Sequence, residues 1–150
     1  MSAGTSTFSI RSQASSTTLS GTGALALLGR FLFALIFVMS GPAHFTRQTI
    51  KFAASQGIPF ASVAVPFSGV LALAGGLSVL LGYRAKIGAW LLVLFLAGVT
   101  TMLHNFWAVS DPMMHQMQFI MFMKNLSMIG GALFIAQSGS GPWSLDTRRK

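Results

Sequence analysis

Four long apolar stretches, about 24–45, 61–82, 87–104 and 117–136, are separated by short polar segments. A helix rises about 1.5 Å per residue and the hydrocarbon layer is about 30 Å thick, so roughly 20 residues are needed to cross, and each stretch supplies close to that. A closed β-barrel is the other way to satisfy backbone groups in lipid, but it would show short alternating segments, and these runs are solid. The pattern predicts an all-α, polytopic membrane protein built as a bundle of four transmembrane helices.

Around that domain, assigned to 23–146, the pattern changes. Residues 1–22 are mostly Ser, Thr, Gly and Ala with one charge, Arg11, and are expected to form a disordered tail. No basic segment leads directly into an apolar run with a small-residue cleavage site, so no secretory leader is expected. Residues 147–150 form a basic C-terminal tail. Residues 49–56 suit a short interfacial helix broken by Gly57 and Pro59, residues 83–86 a tight turn, and 105–116 a loop containing Asp111-Pro112. Ser68, Ala72 and Gly76, Gly88 and Gly98, and Gly130 and Gly131 recur at helix-packing spacing and are expected to let helices approach closely, within one bundle or between two copies in a homo-oligomer.

Composition sharpens this reading. The chain is 53% hydrophobic and 8% charged, with a mean hydropathy of +0.68, against about a quarter charged in a soluble domain. Ten Lys and Arg face two acids, Asp111 and Asp146, for a net charge of +8. The bases punctuate apolar runs rather than forming a patch, so no nucleic-acid partner is expected; the first partners are membrane lipids. With both termini cytoplasmic, the inner side holds Arg11, Arg30, Arg84, Lys86, Arg148, Arg149 and Lys150 and the outer side Arg47, Lys51 and Lys124, seven bases against three. The expected location is a bacterial inner (plasma) membrane. The absence of cysteine excludes thiolate chemistry, disulfides and Cys-ligated metals.

The polar residues inside the spans are the candidates for chemistry. Arg30 lies about two turns inside the first span, where a central Arg costs roughly 2.5 to 3.5 kcal/mol unless it snorkels to the head groups or serves a site. On the fourth span Gln118 and Asn125 share one stripe while Lys124 lies beside Met117, Met121 and Met128 on another. An amide left in lipid without partners costs several kcal/mol, so Gln118 and Asn125 are expected to face the bundle. In the inferred topology His44 and His104 fall at the same outer level, near Gln118, Lys124, Asn125 and Trp107. Two histidines and a cation under an aromatic lid fit a quinone head group, and the same residues fit helix ends at an interface. Met102, Met113, Met114 and His115 would suit Cu(I), but Met121 and Met123 diverge on their helix, and no metal site is expected. No acid lies inside a span and no paired carboxylates or phosphate loop exist, so catalysis by this chain alone is not expected.

Gly29-Arg30, Ser40-Gly41-Pro42, Gly57-Ile58-Pro59, Leu81-Gly82, His104-Asn105-Phe106-Trp107, Lys124-Asn125-Leu126 followed by Gly130-Gly131, and Gly141-Pro142-Trp143-Ser144-Leu145-Asp146, in this order over residues 24–146, resemble the DoxX family of small bacterial membrane proteins. That resemblance implies a four-helix inner-membrane protein related to the small subunit of a thiosulfate:quinone oxidoreductase and to redox and thiol-stress complexes. It carries over Arg30, His104, Trp107, Lys124 and Asn125 as functional positions. The chain departs from it at Ala72, where many members have Glu, and at His44, where many have Lys; without that Glu an intramembrane counter-charge for Arg30 or Lys124 is missing. The expectation is a non-catalytic subunit of a quinone-linked redox assembly with redox-complex protein partners. The other reading is a small transporter or lipid-interacting membrane factor.

Overall fold

The computed structural model describes the backbone of residues 6–148 and the side chains of 21–148. Its helices are α1 (Ser6–Ser40), α2 (Arg47–Ser55), α3 (Ala61–Leu81), α4 (Ala85–Leu103), α5 (Pro112–Ser138) and the short α6 (Leu145–Arg148), with 3-10 turns at Gly41–Phe45 and Phe106–Ala108. Among the described residues there are four segments long and apolar enough to cross a membrane: Gly21–Phe45, Ala61–Leu81, Ala85–Ala108 and Pro112–Ser138. The all-α four-span architecture is therefore the observed one. Helix α1 begins at Ser6, inside the segment 1–22 for which composition suggests disorder, and its apolar span begins at Gly21. Residues 1–5 and, in the basic tail, Arg149 and Lys150 lie outside the described residues.

Local chemistry sets the helix ends. Thr46 opens α2 by accepting a hydrogen bond from the Thr49 amide at 3.3 Å. Asp111 opens α5 by accepting from the Met114 amide at 2.8 Å, and Pro112 supplies the first helical position, where its missing N–H is no loss. This pair starts α5 at Pro112 rather than near 117, so the end of the expected loop, 112–116, is helix. Helix α4 lacks a capping side chain of its own, because its N-cap position is Arg84, held at φ 48°.

In the bundle α1 packs on α3, α3 on α4 and α4 on α5. The core is Ala34, Phe37, Ala72, Val79, Ala89, Leu92, Phe95, Leu96 and Ala132. Small residues bring backbones together where the hydrophobic effect cannot help. A Cβ on Gly75 would lie 2.8 Å from the Gly88 carbonyl oxygen, and one on Gly131 would lie 2.9 Å from the Phe33 ring, which closes the seam between α1 and α5. Gly98 and Gly130 depart from the packing expectation: nothing lies within 4 Å of a Cβ built on either.

The last residues clasp the end of the bundle where α3 turns into α4. Asp146 donates its backbone N–H to the Gly82 carbonyl at 2.9 Å, and its carboxylate accepts from the amides of Arg84 at 2.8 Å and Ala85 at 3.4 Å. The missing cap of α4 thus arrives from 62 positions along the chain. Arg30 Nη2 donates to the Trp143 carbonyl at 2.7 Å, Ser140 donates to Ser144 at 3.0 Å, and Gly23 sits under the Trp143 indole, where a Cβ would fall 2.7 Å from Nε1. The contact between Gly23 and Trp143 places the start of the first span and the C-terminal segment at the same end of the bundle.

Candidate functional site

At the opposite end a cavity of about 200 Å³ opens between α1, α4 and α5. Its polar lining is Ser40, His44, His104, Lys124 and Asn125, and its apolar walls include Phe37, Phe95 and Met128. Four residues singled out from the sequence, distant along the chain, thus share one chamber: His44, His104, Lys124 and Asn125. Gln118 reaches it through His104, whose Nδ1 lies 2.8 Å from Gln118 Oε1.

Each side chain is placed by identifiable local structure. Gly41 and Pro42 turn the end of α1 into a 3-10 segment, with Gly41 pressed so closely on α3 that a Cβ would lie 2.5 Å from Leu73. That turn carries His44 onto Gly69 of α3, with its ring 5.6 Å from the Phe95 ring. Its Nδ1 lies 3.2 Å from the Ser40 carbonyl, which can only accept, so this nitrogen is the donor and Nε2 is left for another partner. The same reasoning applies to His104, since an amide oxygen also only accepts. His104 ends α4, its amide still bonded to the Thr100 carbonyl at 3.2 Å.

Asn125 is the least exposed residue of the set, at 4%. Among the described residues its side-chain amide has no hydrogen-bond partner, and it faces the chamber. Lys124 is exposed on its neighbouring stripe, with Nζ 3.5 Å from the Met121 sulfur, and borders the chamber. No acid lines it: Asp111 caps α5 and Asp146 caps α4.

Trp107 is not in this chamber. It is 61% exposed and belongs to an aromatic cluster around Phe106, 5.2 Å from that ring and 6.0 Å from Phe122, with His115 and Phe119 on the other sides of Phe106. The early start of α5 draws the segment after His104 onto its flank rather than over the cavity. Arg30 is at the far end and has no acid at hydrogen-bonding distance; carbonyl oxygens of the C-terminal clasp receive it. Phe95 and Ser40 are lining residues that the sequence did not mark: an apolar ring in an apolar span carries no signal, and Ser40 reads as a helix end. A wider cavity of about 590 Å³ at the clasp is bordered by Arg84, Lys86, Asp146 and Thr147, but its acid is already committed to capping.

Residues 21–150 match the SURF4 family. This corrects the DoxX resemblance. Most of the short motifs that carried it sit at turns, helix ends and interfacial rings, and here Asp146 and the Gly-Pro before it form a clasp. Ala72, read as a missing Glu, is a fully buried core residue. Inner membrane protein YqjF of Escherichia coli (strain K12) is 32% identical over 122 residues, covering 80% of this chain and 88% of that protein. Inner membrane protein YphA of the same organism is 28% identical over 129 residues, covering 83% and 89%. ER-derived vesicles protein ERV29 of Saccharomyces cerevisiae is 31% identical over 84 residues, 56% of this chain but 27% of that protein. No solved structure matches. The redox-assembly role and its quinone rest on the outer residue cluster together with the DoxX resemblance, and these matches give them no support.

Proposed function

The chain belongs to the SURF4 family, and we propose that it is a lipid-interacting membrane factor whose chamber holds the anionic head group of an amphiphile. The observation that carries this reading is Asn125. Its amide has no hydrogen-bond partner among the described residues and opens onto a cavity instead of a neighbouring helix. A ligand that accepts from the amide supplies the missing partner. Lys124 supplies a positive charge at the cavity's edge with no acid beside it, and the Asn125 amide supplies N–H donors, so an anion is the complementary guest.

The chamber faces the outer leaflet in this proposal. Arg30, Arg84, Lys86 and Arg148 lie at the clasp end and Arg47, Lys51 and Lys124 at the other, and the richer end is cytoplasmic by the positive-inside rule. The two inner-membrane relatives support a bacterial plasma membrane as the location.

The test is equilibrium binding to the full chain in a mild non-ionic detergent, with laurate and dodecyl phosphate as probes and dodecyltrimethylammonium as the control. The expected result is selective binding of the anions, weakened about tenfold, or 1.4 kcal/mol, by Lys124→Gln or Asn125→Leu. Equal binding of the cation, or anion binding that neither substitution moves, would overturn the proposal. A quinone retained in stoichiometric amount through purification, and lost in the same variants, would instead restore the redox reading.

A further inference from the structure

Across Phe95 from the chamber lies a second cavity, a groove of about 300 Å³ between α3 and α4 that is apolar throughout its lining apart from Ser68. The Ser68 hydroxyl is turned away from this role, since it donates to the Val65 carbonyl at 2.7 Å. Phe67 and Leu94, 58% and 60% exposed, stand at the mouth, so the groove is open sideways toward lipid. Gly98 lines it, and no atom of a neighbour lies within 4 Å of a Cβ built there. Elsewhere in α4 a glycine is used for close contact, as at Gly88; Gly98 leaves a hollow instead.

Two residues, Phe95 and Val99, line both the groove and the polar chamber. Phe95 is 7% exposed and is held edge-on by Phe37, 6.2 Å away, and by His44, 5.6 Å away. At the end of α4 the two cavities are also neighbours in sequence, since Leu103 lines the groove and His104 the chamber. A charged cavity and an apolar one, separated by Phe95 and Val99 at the same level of the bundle, have the shape of an amphiphile's two parts. We propose that the groove takes the acyl chain of a single-chain carboxylate amphiphile, of the fatty-acid class, whose head group sits in the chamber, with Phe95 as the partition beside which head and chain join. One groove accommodates one chain, which sets this guest apart from a two-chain phospholipid. The proposal rests on the head-group reading above.

The test is photolabelling of the full chain in phosphatidylcholine nanodiscs, using palmitate with a diazirine at mid-chain and mapping adducts by mass spectrometry. The expected result is labelling at Phe67, Leu94 and Met102 that excess palmitate suppresses at least tenfold. Gly98→Phe, which enters open space and should fold, lowers it at least fivefold; Met102→Trp is a second way to fill the groove. Lys124→Gln lowers it about tenfold. Groove labelling that excess palmitate leaves unchanged is bulk lipid and overturns the proposal. Loss in Lys124→Gln but not in either groove variant keeps the head-group site and removes the groove. Loss in the groove variants but not in Lys124→Gln means a chain whose head lies elsewhere, which overturns both the link drawn here and the head-group site.

Discussion

The two ends of this bundle each bury a polar side chain in a helix that crosses the membrane, and they treat it in opposite ways. At the clasp end Arg30 is 5% exposed, bonded through Nη2 to the Trp143 carbonyl, and its Nε and Nη1 are sealed without partners among the described residues. At the chamber end Asn125 is 4% exposed and its unpaired amide looks into a cavity. Burial alone does not separate structure from function in a membrane protein. What separates them is whether an unpaired group is walled in by protein or can be reached by a guest. If this comparison is right, damage at the clasp should cost stability and spare binding, and damage at the chamber should do the reverse.

The sharpest break is expected at Gly82. It holds φ 63°, which favours glycine, and a Cβ there would run into Arg30 Nη1 and Ser144 Cβ. Gly82→Val combines a strained backbone with overpacking and should destabilise the fold by about 3 kcal/mol. Denaturant unfolding in detergent measures this, and the folded fraction should bind laurate within twofold of the unaltered chain. A large loss of affinity would mean that the two ends are coupled.

Asp146→Ala comes next. It leaves the amides of Arg84 and Ala85 at the start of α4 without their acceptor and should cost about 1 to 2 kcal/mol by the same measurement. Asp146→Asn keeps an acceptor oxygen and should lose less than half as much. Equal losses in the two variants would show that charge, not capping, is what the carboxylate supplies.

How far these ends could be read beforehand follows from what each kind of signal depends on. Helix number and span came through because hydrophobic runs of about 20 residues answer to bilayer thickness and little else. The cost of bare amides in lipid points Asn125 and Gln118 to the bundle interior, and the inferred topology puts His44 and His104 at one level, as the ends of their spans. The clasp is not legible because the partners of the Arg30 guanidinium and the Asp146 carboxylate are backbone groups, which leave no trace in residue type. The start of α5 is legible in Asp111-Pro112, a cap followed by a helix-opening proline. The DoxX resemblance misleads because short motifs at turns and interfaces report architecture shared by many small membrane proteins.

At the chamber, Asn125→Leu tests the comparison from the other side. Removing an unpaired amide in favour of an apolar side chain of similar size should leave stability within about 0.5 kcal/mol or raise it, because no hydrogen bond of the protein is lost. Laurate binding should fall about tenfold. Arg30→Met, by contrast, deletes a bond to the clasp and should loosen the C-terminal segment, seen as faster amide exchange after Gly139, with binding unchanged. If Asn125→Leu instead destabilises the fold, the amide has a structural partner and the contrast between the ends collapses.

The smallest effect is expected at Trp107, and it discriminates between two pictures of the chamber end. As a lid over the histidines, Trp107 would hold a guest in place, and Trp107→Leu would weaken binding as strongly as a chamber substitution. As found here, the indole packs edge-on against Phe106 and Phe122 on the flank of α5 and is largely exposed. Aromatic pairs of this kind contribute about 0.5 to 1.5 kcal/mol beyond area burial, and leucine retains part of the apolar contact. Trp107→Leu should therefore lower stability by under about 1 kcal/mol and leave laurate affinity within twofold. A tenfold loss of affinity would place the ring over the guest after all, and would require the segment between His104 and Asp111 to move inward on binding.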